Sequence, residues 1–223
     1  MSFINTRLFS EAASYKKKNG VYCKAPFGSR DFDDFWTEMD RRNTEGYSVG
    51  GVKITGYHHW HLNFRKIPIV VNPKDPSSRK EIDFPRFWEI HYDFFWALDK
   101  SEKVGRHFNI LKPRGSGFSE IMASIATHNY TTIKGSKSFF FAASEGYLNK
   151  DGVLTKCWDG LNYLNQETER AYKHLRQVKD QDLHKRASEV DKEGNEAGFL
   201  SEIIGRVIDH PRKVRGARTG TWG

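Results

Sequence analysis

The stretch from His107 to Ala126, HFNILKPRGSGFSEIMASIA, constrains the chain more than any other. Phe108, Ile110 and Leu111 read as a short buried strand, Gly115 and Gly117 as a loop, and Ser119 and Glu120 as the opening of a helix. That order is how α/β proteins hold phosphate. Glycine lets the main chain approach a ligand closely, and amides from Arg114 to Ser119 would point at an anion at the positive end of the helix. Beyond the helix, expected over Glu120 to Thr132, the run SFFFAA from Ser138 to Ala143 lies between Gly135 and Gly146. It reads as a strand buried on both faces. Strand, loop, helix and strand make a βαβ unit, expected to be right-handed with parallel strands and with the loop at their carboxyl edge.

The usual phosphate-loop signature, G-x-x-x-x-G-K-[ST], wants a lysine where this chain has Phe118. The cation must come from Lys112, five places before Gly117, or from Arg114, three places before it. A loop of the form K-x-R-x-x-G-[aromatic]-S resembles the deviant Walker A of the large terminase subunits of tailed bacteriophages, the ATPases that pump DNA into capsids. The resemblance implies that Lys112 curls back to the phosphates and that Arg114 acts in hydrolysis. It also implies that Gly115, Ser116, Gly117 and Phe118 cradle the nucleotide and that Ser119 ligates magnesium beside ATP. The plain alternative is a glycine turn with two solvated cations.

With 223 residues the chain is long enough for one α/β domain, or for one domain and an N-terminal extension. Its 36 Lys and Arg against 28 Asp and Glu give a formal charge of +8, which favours polyanionic partners such as nucleic acid. Cys23 and Cys157 are too few for a disulfide framework or a zinc site, so both read as free thiols in a reducing compartment. No apolar run approaches a membrane span, and the first twenty residues lack the core of a secretory signal. A soluble, intracellular protein is expected.

Residues 1–30, with Lys16, Lys17 and Lys18 in a row, read as an arm or extended lead-in. Asp31 to Glu45 reads as a helix with Phe32, Phe35, Trp36 and Met39 on one face and Gly46 beyond its end. Val52 and Ile54 come before a turn at Thr55 and Gly56, an aromatic cluster, and a strand from Ile67 to Val71. His58, His59 and His61 invite a metal reading. Adjacent histidines cannot all face one ion, however, and no cysteine or carboxylate stands at ligand spacing. Large terminases commonly carry I-T-G-x-H-aromatic-x-x-L-N here, which Ile54, Thr55, Gly56, His58, Leu62 and Asn63 fit. Ile82 to Ser101 reads as a buried aromatic helix with Asp83 as N-cap and Pro85 in its first turn. The family places an F-P-x-F-W-x-x-Q helix near the adenine, and here His91 stands where glutamine is common, with Tyr92 beside it.

Asp151 to Asn165 and Glu167 to Glu189 read as two helices, the second laced with charge. Its Lys173, Arg176 and Lys179, with Arg212, Lys213, Arg215 and Arg218 of the tail, are the candidate DNA contacts, made to phosphate without reading sequence. Gly198 to Asp209 reads as a hairpin or a long strand. Arg215, Gly216 and Arg218 resemble the R-G-x-R that terminases carry before Walker B, and no apolar run ending in Asp-Glu follows.

The expected fold is therefore α/β, a P-loop NTPase-like, mostly parallel sheet flanked by helices. Residues 1–46 would form an N-terminal arm and helix, and 47–223 the N-terminal part of an ATPase domain cut before Walker B. The resemblance implies an ATP-hydrolysing motor for double-stranded DNA, with a small terminase subunit, a portal protein and a ring of its own copies as partners in the host cytoplasm. A helicase-like P-loop ATPase and a non-catalytic basic assembly module are the alternatives.

Overall fold

The computed structural model describes residues 5–72, 74–75, 77–112, 115–150, 152–172 and 177–208, with main chain alone at 177–180. They fall into two compact units, Met1–Ser116 with Glu167–Glu169, and Gly117–Gln166 with Arg170–Gly223.

The first unit opens with a 3-10 turn at Thr6–Leu8 and helix α1, Glu11–Asn19. Helix α2, Arg30–Glu45, starts where Ser29 Oγ accepts from the Phe32 amide at 3.3 Å, with Asp31 and Asp33 in its first turn. It buries Phe32, Trp36 and Met39, the expected face apart from a half-buried Phe35. Strands β1, Tyr47–Val49, and β2, Val52–Ile54, pair antiparallel about Gly50 and Gly51, both at positive φ. Thr55 is not a turn residue. Its Oγ1 accepts from the His58 amide at 3.3 Å and caps helix α3, Gly56–Asn63, in which every residue is buried. Gly56 is required there, because a Cβ would come to 2.0 Å from the Asn43 carbonyl of α2. Strands β3, Ile67–Val70, and β4, Lys80–Asp83, pair antiparallel, and helix α4 spans Glu89–Lys103.

The N-terminal stretch is core rather than an arm. Phe9, Ala13 and Tyr22 are buried, and Asn63 ties them down, donating to the Phe9 carbonyl at 2.8 Å and accepting from the Ala13 amide at 3.0 Å. Lys16 is also buried, reaching Glu167 at 3.0 Å and donating to the Gly20 carbonyl at 2.7 Å. Asp83 does not cap a helix. It ends β4, pairs with Lys17 and accepts from the Phe84 amide, while Pro85 favours extended backbone at Phe84 and the helix waits until Glu89. Helix α4 is less buried than its aromatics suggest: Phe95 is covered, but Trp88, Ile90 and Trp96 are exposed.

In the second unit, helix α5 covers Phe118–Thr132, strand β5 Lys137–Ala142, helix α6 Gly146–Asn149 and helix α7 Val153–Glu167. Strands β6, Gln177–Gln181, β7, His184–Val190, and β8, Glu196–Val207, complete a sheet ordered β5-β8-β7-β6. One sheet face packs on helices. A Cβ on Gly205 would come to 2.5 Å from Leu154 of α7, and Ser201 Oγ donates to the Tyr130 carbonyl of α5 at 2.6 Å. The other face carries buried Glu202, which holds Lys137 at 2.9 Å, His184 at 2.7 Å and Arg186 at 3.0 Å. Burial pushes the Glu202 carboxyl up, but hydrogen bonds from Lys137 and His184 and the charges of Arg186 and Lys137 outweigh that and hold it low.

The sheet corrects three expectations. Only β5 and β8 are parallel, so it is mixed and not mostly parallel. Residues 107–112 form no strand: Leu111 is fully exposed, and Phe108 packs instead on Phe94 of α4, centroids 5.6 Å apart. Three apolar residues between His107 and Lys112 are too few to be covered on both faces, as a parallel strand must be. The charged helix expected from Glu167 to Glu189 is instead a turn followed by the β6–β7 hairpin. Glu169 and Arg170 take positive φ, and the segment has no apolar stripe of helical period to compete with pairing along the twelve-residue β8. Of the hairpin or long strand expected from Gly198, the structure has the strand, β8, and Asp151 to Asn165 matches α7.

Candidate phosphate-binding loop

The loop that joins the units by covalent continuity has a described half in each. In the first unit Lys112 is exposed, Gly115 has φ 79° and Ser116 is half-buried; Arg114 lies outside the described residues. In the second unit Gly117, at φ 68°, stands at the N-cap of α5. A Cβ on either glycine would meet nothing within 4 Å. Glycine is needed there for backbone conformation, not for space.

Helix α5 begins without a side-chain cap. Its ladder starts at the Gly117 carbonyl, which accepts from Glu120 at 2.9 Å and from Ile121 at 3.3 Å. The amides of Phe118 and Ser119 come earlier, in the turn whose donors have no intrahelical acceptor. Phe118 is half-buried and Ser119 exposed. Glu120, in the position from which a carboxylate often reaches back to the N-cap amide, pairs with Lys156 of α7 at 3.2 Å. Nothing in the sequence marks Lys156, because the pair depends on α7 packing beside α5. Main-chain donors at a positive helix end, an exposed hydroxyl two residues in and a buttressing ion pair suit an anion with an associated hard cation.

The other candidates are scattered. Lys173, Arg176, Arg212, Lys213, Arg215 and Arg218 lie outside the described residues, as does the side chain of Lys179 on β6. Two further basic residues of the expected helix are engaged on β7. Lys185 stands over the Trp158 ring at 4.8 Å, and Arg186 is paired with Glu196 and Glu202. Tyr92 donates to the Lys53 carbonyl at 2.9 Å. Cys23 and Cys157 are free thiols.

The histidines form the other polar cluster of the first unit. His59 is bonded to Asn43 at 2.8 Å, while no ring nitrogen of His58, His61 or His91 closes a hydrogen bond. Burial, with His91 nearby, lowers His58 to about 3. Burial also drives His61 well below its ordinary value, reinforced by His58, His91 and Arg65. Among the described residues no three His, Cys, Asp or Glu side chains are grouped to hold a metal ion, and no helix is long and apolar enough to cross a membrane.

Compared with protein families, curated proteins and solved structures, the chain matches none.

Proposed function

We propose that the chain is the nucleotide-binding part of a DNA-packaging ATPase of the large-terminase kind, taking ATP with magnesium at Lys112 to Ser119. The observation that carries the reading is the pair of left-handed glycines, Gly115 and Gly117, running into an uncapped fifteen-residue helix. Amides at that helix end would hold the phosphates, and Lys112, exposed and five residues from Gly117, would neutralise them. Ser119 would hold the magnesium ion, which supplies charge neutralisation of the phosphate oxygens. Arg114 would stabilise charge developing at the transferred phosphoryl group. The formal charge of +8 supports double-stranded DNA as the polyanion moved. A small terminase subunit, a portal ring and further copies of the chain are partners implied by the same resemblance.

Titration of the chain with fluorescent ATP and magnesium tests the reading. Lys112→Ala should weaken binding by about tenfold or more, the effect of losing one charge-assisted contact. Equal binding by parent and variant removes Lys112 from the site; no binding by either removes the nucleotide. A second reading, a basic module that binds phosphate without turnover, is favoured by one observation: the described residues 107–112 before the loop form no strand, and Leu111 is fully exposed. Competition separates the two: ADP should displace fluorescent ATP far better than inorganic phosphate if the loop takes a nucleotide, and no better if it takes phosphate alone.

A further inference from the structure

Strand β5 stands at the edge of the second unit's sheet, and its successive side chains alternate between the two sheet faces. In register with β8, Lys137 lies beside Glu202, Phe139 beside Ile204 and Phe141 beside Arg206. Glu202 belongs to the face opposite the one that meets α5 and α7, so Lys137, Phe139 and Phe141 share that open face. Phe141 is 41% exposed and Phe139 half-buried, where a strand covered on both faces was expected. The two rings hold each other in place, with centroids 6.1 Å apart and planes 8° apart. An open sheet face ordinarily turns polar side chains to water, yet here two phenyl rings occupy successive positions of it.

The charges around the rings decide what can cover them. Lys137 precedes the pair on β5, and exposed Arg206 stands beside Phe141 on β8. The carboxylate of this face, Glu202, is 4% exposed and already held by Lys137, His184 and Arg186. Glu196 pairs with Arg186 at the far end of β8. An apolar protein surface laid here would strip water from Arg206 and Lys137 without replacing it. Duplex DNA would satisfy both cations but keeps its bases stacked inside, out of reach of a ring. A single strand offers both at once, phosphates for the cations and unstacked base faces for the rings.

We propose that the open face of β5 and β8 binds single-stranded nucleic acid, with bases stacking on Phe139 and Phe141 while Lys137 and Arg206 hold the phosphates on either side. Such contacts read no sequence, since every base has a π face. The surface lies within the second unit and requires neither ATP nor an occupied phosphate loop.

The test is fluorescence anisotropy of the whole chain with a labelled oligothymidine about ten nucleotides long, and with a duplex of the same length, both without ATP. Phe141→Leu keeps an apolar side chain at the position but removes the π face, whereas Phe141→Tyr keeps the ring. Phe141→Leu should bind the single strand about tenfold more weakly than the parent, with duplex affinity unchanged, and Phe141→Tyr should stay within about threefold. Arg206→Gln should lower the salt slope for the single strand by about 0.7. Binding through scattered cations alone would leave Phe141→Leu equal to the parent, and that result overturns the proposal. An equal loss in Phe141→Leu and Phe141→Tyr does the same, leaving Phe141 a packing residue, as does an unchanged salt slope in Arg206→Gln. A parent that binds no single strand, but sediments as a dimer that Phe141→Leu abolishes, would overturn it by giving the face to a second copy of the chain.

Discussion

Acid should unfold the first unit before it disturbs the second, and the histidines set the size of the effect. His58 and His61 are about 1% exposed and close no hydrogen bonds through their rings. Burial lowers His58 to about 3 and His61 well below the ordinary 6.5. The facing groups that titrate or carry charge are His91 on α4, the two histidines themselves and Arg65, so no carboxylate compensates a proton. In the unfolded chain both imidazoles take up protons near pH 6.5, while in the folded unit they do not. Their contribution is complete above about pH 7.5 and is lost as pH falls below 6.5, at about 1.4 kcal/mol per pH unit for each group. At pH 5 that is about 2 kcal/mol for His58, with a further loss in the same direction from His61, a large share of the roughly 5–15 kcal/mol that holds a domain folded. The lowered carboxyls, Glu38 near 2 and Glu202, lose their contribution only below the ordinary carboxylate range, so they are silent in this window. Urea unfolding at pH 7.5 and pH 5, followed by emission of the buried Trp36 and Trp60, measures the loss. His58→Phe should reduce the loss by about 2 kcal/mol. A parent whose stability is flat between the two pH values, or a His58→Phe chain that loses as much as the parent, refutes the reasoning.

Gly56→Ala places a methyl at 2.0 Å from the Asn43 carbonyl, a main-chain atom that cannot swing away, and should cost about 2 kcal/mol or more in the urea midpoint. Gly115→Ala meets no atom and should cost only the strain of positive φ, about 1 kcal/mol, with a larger effect on ATP affinity than on stability. Lys16→Met removes the cation between Glu167 and the Gly20 carbonyl; because Glu167 is 41% exposed, the loss in thermal unfolding should be modest, about 1–2 kcal/mol. Lys156→Met should weaken ATP binding while leaving far-UV circular dichroism unchanged, since it removes the cation beside the Glu120 carboxylate at the end of α5 that is expected to meet phosphate.

Local signals were legible where one element decided the outcome. The first-turn acids and the Phe32–Trp36–Met39 spacing are enough to write α2, and the apolar residues from Gly198 to Asp209 left a hairpin and a long strand open, of which β8 is the strand. Failures came where a partner distant in sequence decided. The segment that forms β6 and β7 is charged enough to suit a solvated helix, but β8 offers twelve residues of main-chain pairing, and Glu202 matches the cations that helical reading had sent to solvent. The N-terminal lysines looked like an arm because three in a row usually are solvated. Asn63 and Glu167 lie about 50 and 150 residues further on, beyond any local pattern.

The candidate site divides along the same line. The glycines and the helix start are local features, because positive φ and a cap position follow from the residue itself and its neighbours; both appear where the sequence put them. The expected strand beneath the loop is not local. Strand formation needs a partner edge, and Phe108 finds the ring of Phe94 in place of a sheet. That leaves residues 107–112 without strand pairing in the first unit, with Phe108 resting on Phe94. It also gives the exposed Leu111 a diagnostic value. If loading the site with ATP orders residues 107–112 as a strand, Leu111 should pass from exposed to protected, and a Leu111→Asp chain should lose nucleotide affinity without losing stability in the free form. If Leu111→Asp binds ATP as the parent does, the loop works without a strand forming at residues 107–112.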